Sequence, residues 1–155
     1  MTCIHFDPKH TPARHVPSGK DLETHDYHDL IDELADKVEK KVIAWRHDMH
    51  QNPELPNREF RTAKIIADHL KSLNLDEVRT EVGVTGVVGL LKGGQPGDKV
   101  VALRADFDAL PVEELADVPF KSTRIDKEYP GGPFPVSHAC GHECHATMLM
   151  GAAEV

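Results

Sequence analysis

Ser137-His138-Ala139-Cys140-Gly141-His142-Glu143-Cys144-His145-Ala146-Thr147 sets three imidazoles, two thiols and a carboxylate around one glycine. Met148-Leu149-Met150-Gly151-Ala152-Ala153 follows, apolar and helix-permissive, so the stretch reads as a loop turning into a helix N-terminus. The free N–H groups and the dipole of such a terminus favour a thiolate. Thiolate, imidazole and carboxylate are the ligands of borderline-soft divalent metals: zinc, manganese, cobalt or nickel. In an extended loop Cys140 and His142 point the same way. In a helix, His142 and His145 become neighbours at i, i+3, and Cys140 and Cys144 at i, i+4. Spacing leaves both templates open. A reduced structural cysteine among histidines bonded to backbone carbonyls accounts for any one of these residues, but the density of donors favours half of a metal site.

Upstream, Lys99-Val100-Val101-Ala102-Leu103-Arg104 reads as a strand that runs into Arg104-Ala105-Asp106-Phe107-Asp108-Ala109-Leu110-Pro111. Two carboxylates two residues apart at the C-terminal end of a buried strand are poor choices for stability alone, and ligand sites gather at such ends in open α/β sheets. An aspartate there either ligates a metal or holds a ligating imidazole. The structural alternative is a solvated turn capped by Asp108. Val78–Val82 reads as a short alternating strand. Val87–Leu91 and Lys99–Arg104 flank the turn sequence Gly93-Gly94-Gln95-Pro96-Gly97-Asp98, which predicts that they pair as a hairpin. That turn is no phosphate loop, since no Lys-Ser/Thr and no helix follow it.

Before the strands, Leu30, Leu34, Val38, Val42, Trp45 and Met49 form one apolar stripe of a helix beginning near Asp26 and stopped by Pro53 and Pro56. Asn57 is placed to cap a second helix, with Phe60, Ala63, Ile66, Ala67 and Leu70 on one face. Residues 1–25 carry no periodicity, and His5, His10 and His15 recur at a spacing that fits neither helix nor strand, so this part reads as a flexible tail. From Glu113 to Val136 the prolines and glycines predict a surface loop that delivers His138 and Cys140 to the strand ends, with Glu113 and Glu114 solvated. Helices before and after the strands give an α/β or α+β class, with residues 26–155 as one domain.

The chain has 155 residues and a net charge of −8, without the basic stripe that nucleic-acid binding requires. No apolar run reaches the roughly 18 residues of a membrane span. Three cysteines, two of them close together in the cluster, do not suggest a disulfide framework. With no apolar leader at Met1–Lys20, the expected location is the cytoplasm.

Four blocks carry a resemblance: Trp45-Arg46-His47-Asp48-Met49-His50-Gln51-Asn52-Pro53-Glu54-Leu55, Thr85-Gly86-Val87-Val88-Gly89, Arg104 to Pro111, and His138 to Ala153. In their order and intervals, from about Asp29 to Val155, they resemble metal-dependent amidohydrolases of the aminoacylase/carboxypeptidase clan. The nearest branch looks like that of hippurate hydrolases, auxin–amino-acid conjugate hydrolases and N-acetyl-diaminopimelate deacetylases. The resemblance implies the N-terminal part of a zinc-peptidase-like catalytic domain, helices packed on a mixed sheet, truncated before a lid domain. It implies hydrolysis of N-acyl amino acids by metal-activated water at a two-ion centre. Cys140 and His142 match the first two ligands, and Asp106, Asp108, His138 and His145 match supporting positions. At Glu143 the family usually has Asp. The general-base Glu, further ligands and the lid would lie beyond Val155, so no catalytic group is expected here and the piece is expected to be inactive alone. A homodimer of the complete protein is compatible with this reading. The rival is a small module that closes its own metal site with Cys140, His142, Cys144 and His145, or one that dimerises without metal.

Overall fold

In the computed structural model, residues 2–6, 24–94 and 97–155 are described. The elements run β1 (Thr2–Phe6), α1 (Thr24–Gln51), α2 (Phe60–Ser72), β2 (Glu77–Val82), β3 (Gly86–Leu91), β4 (Ala102–Ala105), β5 (Ile125–Asp126), β6 (Phe134–Pro135) and α3 (His142–Glu154). The class is α/β, with a mixed four-stranded sheet in the order β2-β3-β1-β4. α2 lies against β2 and β3, while α3 lies along α1 and against β4. No helix among the described residues is long and apolar enough to cross a membrane.

Three details depart from the sequence reading. Thr2–Phe6 form a strand instead of belonging to a tail, and His5 lies in it, whereas His10 and His15 fall outside the described residues. This strand pairs parallel with β3 and antiparallel with β4, so β3 and β4 are not hairpin partners. The turn signal was misleading because Lys92 to Val101 is longer than the two to five residues of a tight hairpin loop, long enough to pass over one intervening strand. Asn57 does not cap α2; it sits in a left-handed turn at φ 61°.

The true cap comes from further back. Glu54 reaches over that turn, and its carboxylate accepts hydrogen bonds from the backbone N–H of Arg61 at 3.1 Å and of Thr62 at 2.8 Å, and from the Thr62 hydroxyl at 2.9 Å. Two of the N–H groups that every helix start leaves unpaired are thereby satisfied by one buried carboxylate. Glu54→Ala is expected to cost about 1–2 kcal/mol, the upper range for a helix cap. Urea unfolding at pH 7 measures it.

The core joins Met49 of α1, Ile66, Ala67 and Leu70 of α2, Val87 of β3, Ala105 and Phe107, and Ala146, Leu149 and Met150 of α3. The apolar stripe of α1 is thus buried only at its C-terminal end: Met49 is covered, Trp45 packs partly, and Leu30 stays 43% exposed. Phe60, read as a core residue, is also exposed. Gly151 lets α3 approach α1 closely, since a Cβ there would stand 2.8 Å from a Val42 methyl. His69 of α2 is buried, donates from Nε2 to the Met150 carbonyl at 3.0 Å and packs on Trp45.

Burial holds His69 below the ordinary imidazole pKa. The unfolded chain takes up this proton near pH 6.5 while the folded chain resists it. The folded state therefore loses stability as pH falls from that value toward the depressed one. Comparing unfolding of the wild type and His69→Gln at pH 7.5 and 5.5 is expected to show a smaller acid loss in the variant.

Candidate metal centre

Past β4 the chain keeps the alternation of a strand: Ala105, Phe107 and Ala109 are buried, and Asp106 and Asp108 lie on the other side. The buried trio anchors the segment, and the alternation turns both carboxylates toward the start of α3. A second anchor lies a few residues on. Leu110 and Ser137 exchange backbone hydrogen bonds of 2.9 and 3.1 Å, closing the long excursion between them at its base. The excursion is irregular except for the short β5–β6 pair, and Leu55, Ala109 and Val136 form a small core beneath it. Its closure returns the chain to the start of α3, whose His142 and His145 reach the aspartates.

Gly141, in the left-handed conformation at φ 78°, is the residue from which α3 departs. The first residue of α3 is His142. Its Nδ1 donates to both the backbone carbonyl and the Oδ1 of Asp108, at 3.0 and 2.9 Å. A carbonyl oxygen only accepts, so the proton sits on Nδ1 and the Nε2 lone pair is left to bind something else. This is the carboxylate–histidine arrangement that orients imidazoles for metals. Nε2 stands 3.7 Å from Asp106 Oδ2.

One turn on, His145 Nδ1 donates to Asp106 Oδ1 at 2.9 Å, and the two imidazoles stack with centroids 5.8 Å apart. The helical template therefore holds for His142 and His145. Burial alone would raise the Asp106 carboxyl, but hydrogen bonds from His145 and the backbone, with the nearby imidazole charges, hold it below its ordinary value. Cys140 is exposed in the turn before α3, and Cys144 is half-buried in the helix.

The donors fit part of a metal shell. His142 is held in one tautomer with a free nitrogen, a thiol lies two residues before it, and carboxylates stand behind. Among the described residues, no group of three or more His, Cys, Asp and Glu side chains is gathered as a metal would require. The self-contained site of Cys140, His142, Cys144 and His145 is not assembled, because His145 turns to Asp106. Asp108→Ala is expected to release His142 and to weaken divalent-metal binding about 10- to 100-fold, the usual effect of losing such a partner. Calorimetric titration with zinc measures it.

Behind this face lies a buried polar cluster that the sequence reading missed. Glu143, the second residue of α3, has a side chain only 1% exposed. Its carboxylate turns away from His142 toward α1. Its Oε1 accepts from His50 Nδ1 at 2.8 Å, and Arg46 Nε stands 3.5 Å away. The other nitrogen of His50 contacts Glu114 Oε2 at 2.7 Å, so Glu114 is engaged rather than solvated. Carboxylates only accept and a neutral imidazole donates once, so meeting both takes a second proton in the Glu114–His50–Glu143 chain. Phe120 stacks on His47 with centroids 3.9 Å apart and lies under Arg46, fastening the same loop to α1.

His138 is buried in this cluster, where desolvation brings its pKa down to about 4 against the opposing charge of Glu143. Both of its ring nitrogens and Glu143 Oε2 lack a hydrogen-bond partner. His138 Nδ1 stands 3.6 Å from that oxygen. The available signal was His50 itself: a polar residue next to Met49, where the apolar stripe of α1 enters the core.

Residues 102–155 match the model of peptidase family M20/M25/M40. By sequence, this stretch belongs to that family. The chain is 46% identical over 129 residues to thermostable carboxypeptidase 2 of Saccharolobus solfataricus, covering 81% of this chain and 30% of the relative. It is 44% identical over 125 residues to hippurate hydrolase of Campylobacter jejuni, with the same two coverages, 81% and 30%. Among solved structures, the YXEP protein of Bacillus subtilis, described as a dinuclear metal binding peptidase from the M20 family, superposes with a TM-score of 0.60 at 30% identity. That match covers 79% of this chain and 31% of the other. The chain thus spans about 30% of the length of these curated relatives.

Proposed function

We propose that this chain carries the first part of an M20 amidohydrolase centre, in which Cys140 and His142 hold a divalent ion and Asp108 and Asp106 brace the donors. The observation that carries the reading is the Asp108-held imidazole of His142, at the start of α3 and two residues from Cys140. When bound, a divalent ion supplies Lewis-acid polarisation of an amide carbonyl. The chain's own part is to orient the donors: Asp108 fixes the tautomer of His142, and Asp106 holds His145 beside it. Relatives named as a hippurate hydrolase and a carboxypeptidase support N-acyl amino acids or peptides as the substrate class. The proton-transferring carboxylate and the remaining ligands belong, on this reading, to parts of the fold outside these residues, with a cytoplasmic setting.

The isolated chain is accordingly inactive, and activity appears when the rest of the fold is supplied. The test replaces the matching segment of the C. jejuni hippurate hydrolase with this chain and assays N-benzoylglycine hydrolysis with added manganese, cobalt or zinc. The expected result is turnover by the chimera, loss of turnover in its Cys140→Ser version, and none by the chain alone. Hydrolysis by the chimera that is indifferent to Cys140→Ser and to chelation would overturn the reading.

A further inference from the structure

We propose that Glu143 is a positioning residue for the metal donors, acting through His50 and Glu114; the proposal rests on the metal reading above. Glu143 follows His142 directly in α3, so its carboxylate fixes the rotation of the helix start that presents His142. That carboxylate is fully buried, and its partners lie on other parts of the chain. Oε1 accepts a hydrogen bond from His50 Nδ1 at the end of α1 at 2.8 Å, and Oε2 faces the His138 ring at 3.6 Å. His138 lies two residues before Cys140. One side chain thus lies against both ends of the turn that carries the thiol and the imidazole, and its bond to His50 ties the helix start to α1.

Glu114 completes the tie by holding the far nitrogen of His50 at 2.7 Å, which stops the ring from rotating away from Glu143. A buried carboxylate is a costly way to fill a core position unless its directionality is used. Here the direction runs along Glu114, His50 and Glu143 into the donor turn. Oε2 and both nitrogens of His138 are left without hydrogen-bond partners, so the turn sits against this carboxylate without being locked to it.

The experiment titrates the chain and its Glu143→Gln, His50→Gln and Glu114→Gln variants with cobalt(II), reading the thiolate-to-cobalt absorption band. Amide hydrogen exchange of residues 138–142 and the thermal midpoint are read in parallel. The proposal expects Glu143→Gln and His50→Gln to weaken cobalt binding about 10- to 100-fold, with a shifted band and faster exchange in the turn. Glu114→Gln, one contact further from the donors, is expected to give a smaller loss than either. A lower thermal midpoint with unchanged cobalt affinity and band in the folded protein assigns the cluster a purely structural role and overturns the proposal, leaving the metal reading intact. Absence of any Cys140-dependent band in the wild type overturns the metal reading, and the proposal with it.

Discussion

Phe107→Ala is expected to lower the stability of the folded chain by about 3–5 kcal/mol, the usual cost of truncating a fully buried aromatic ring. Phe107 is 1% exposed and belongs to the core that joins all three helices to the sheet. The alanine leaves a cavity bounded by elements that cannot all move in, because β4 and α3 are held separately by pairing and by the close α1–α3 approach at Gly151. The consequence extends beyond stability. Phe107 stands between Asp106 and Asp108, and its burial is what turns both carboxylates toward His142 and His145. Urea unfolding followed by Trp45 fluorescence measures the first effect. NMR of the His142 and His145 ring protons reads the second, as a loss of their distinct shifts in the variant under native conditions. Phe107→Leu, which keeps most of the volume, should recover most of both.

The sequence made the site more legible than the sheet. Asp106, Asp108, His142 and His145 could be grouped in advance because each lies in a short, chemically dense run; alternation along an extended strand set the aspartates on one side, while spacing left the extended and helical templates open for the histidines. Strand order is not local. Thr2–Phe6 had no pattern long enough to register, yet it occupies the place between β3 and β4 that a turn signal had reserved for a hairpin. Loop chemistry tells where a chain bends, not which strand it comes back to.

The missed residues follow the same rule. Glu54 caps α2 across a turn, in place of the nearer Asn57, and His50 pairs with Glu143 from the far end of α1. Each is a polar side chain whose partner is distant in sequence, and nothing in its own neighbourhood announces that partner. Glu114 read as solvated because it opens an irregular stretch of prolines and glycines, but the stacking of Phe120 on α1 brings its loop in. Conversely, Leu30 and Phe60 sat on well-formed stripes and are exposed. A stripe marks a face able to pack and says nothing of whether a neighbour is there.

Metal binding is the other large effect. On the proposed reading, Cys140 is the exposed sulfur donor and His142 the imidazole whose tautomer Asp108 fixes. Removing either leaves at most one good donor. The loss should therefore be far larger than for Asp108→Ala, which only frees a ligand's orientation. Neither substitution touches the buried core: Cys140→Ser is expected to keep the wild-type unfolding midpoint without metal, and His142→Ala to lower it only by the loss of its bonds to Asp108.

The most direct test is a cobalt(II) titration of the wild type, Cys140→Ser and His142→Ala, followed by calorimetry and by the thiolate-to-cobalt absorption band. The account predicts one ion bound per wild-type chain with that band present, the band abolished in Cys140→Ser, and affinity reduced more than about 100-fold in His142→Ala. Equal affinity in all three proteins, or a band that survives Cys140→Ser, would contradict it.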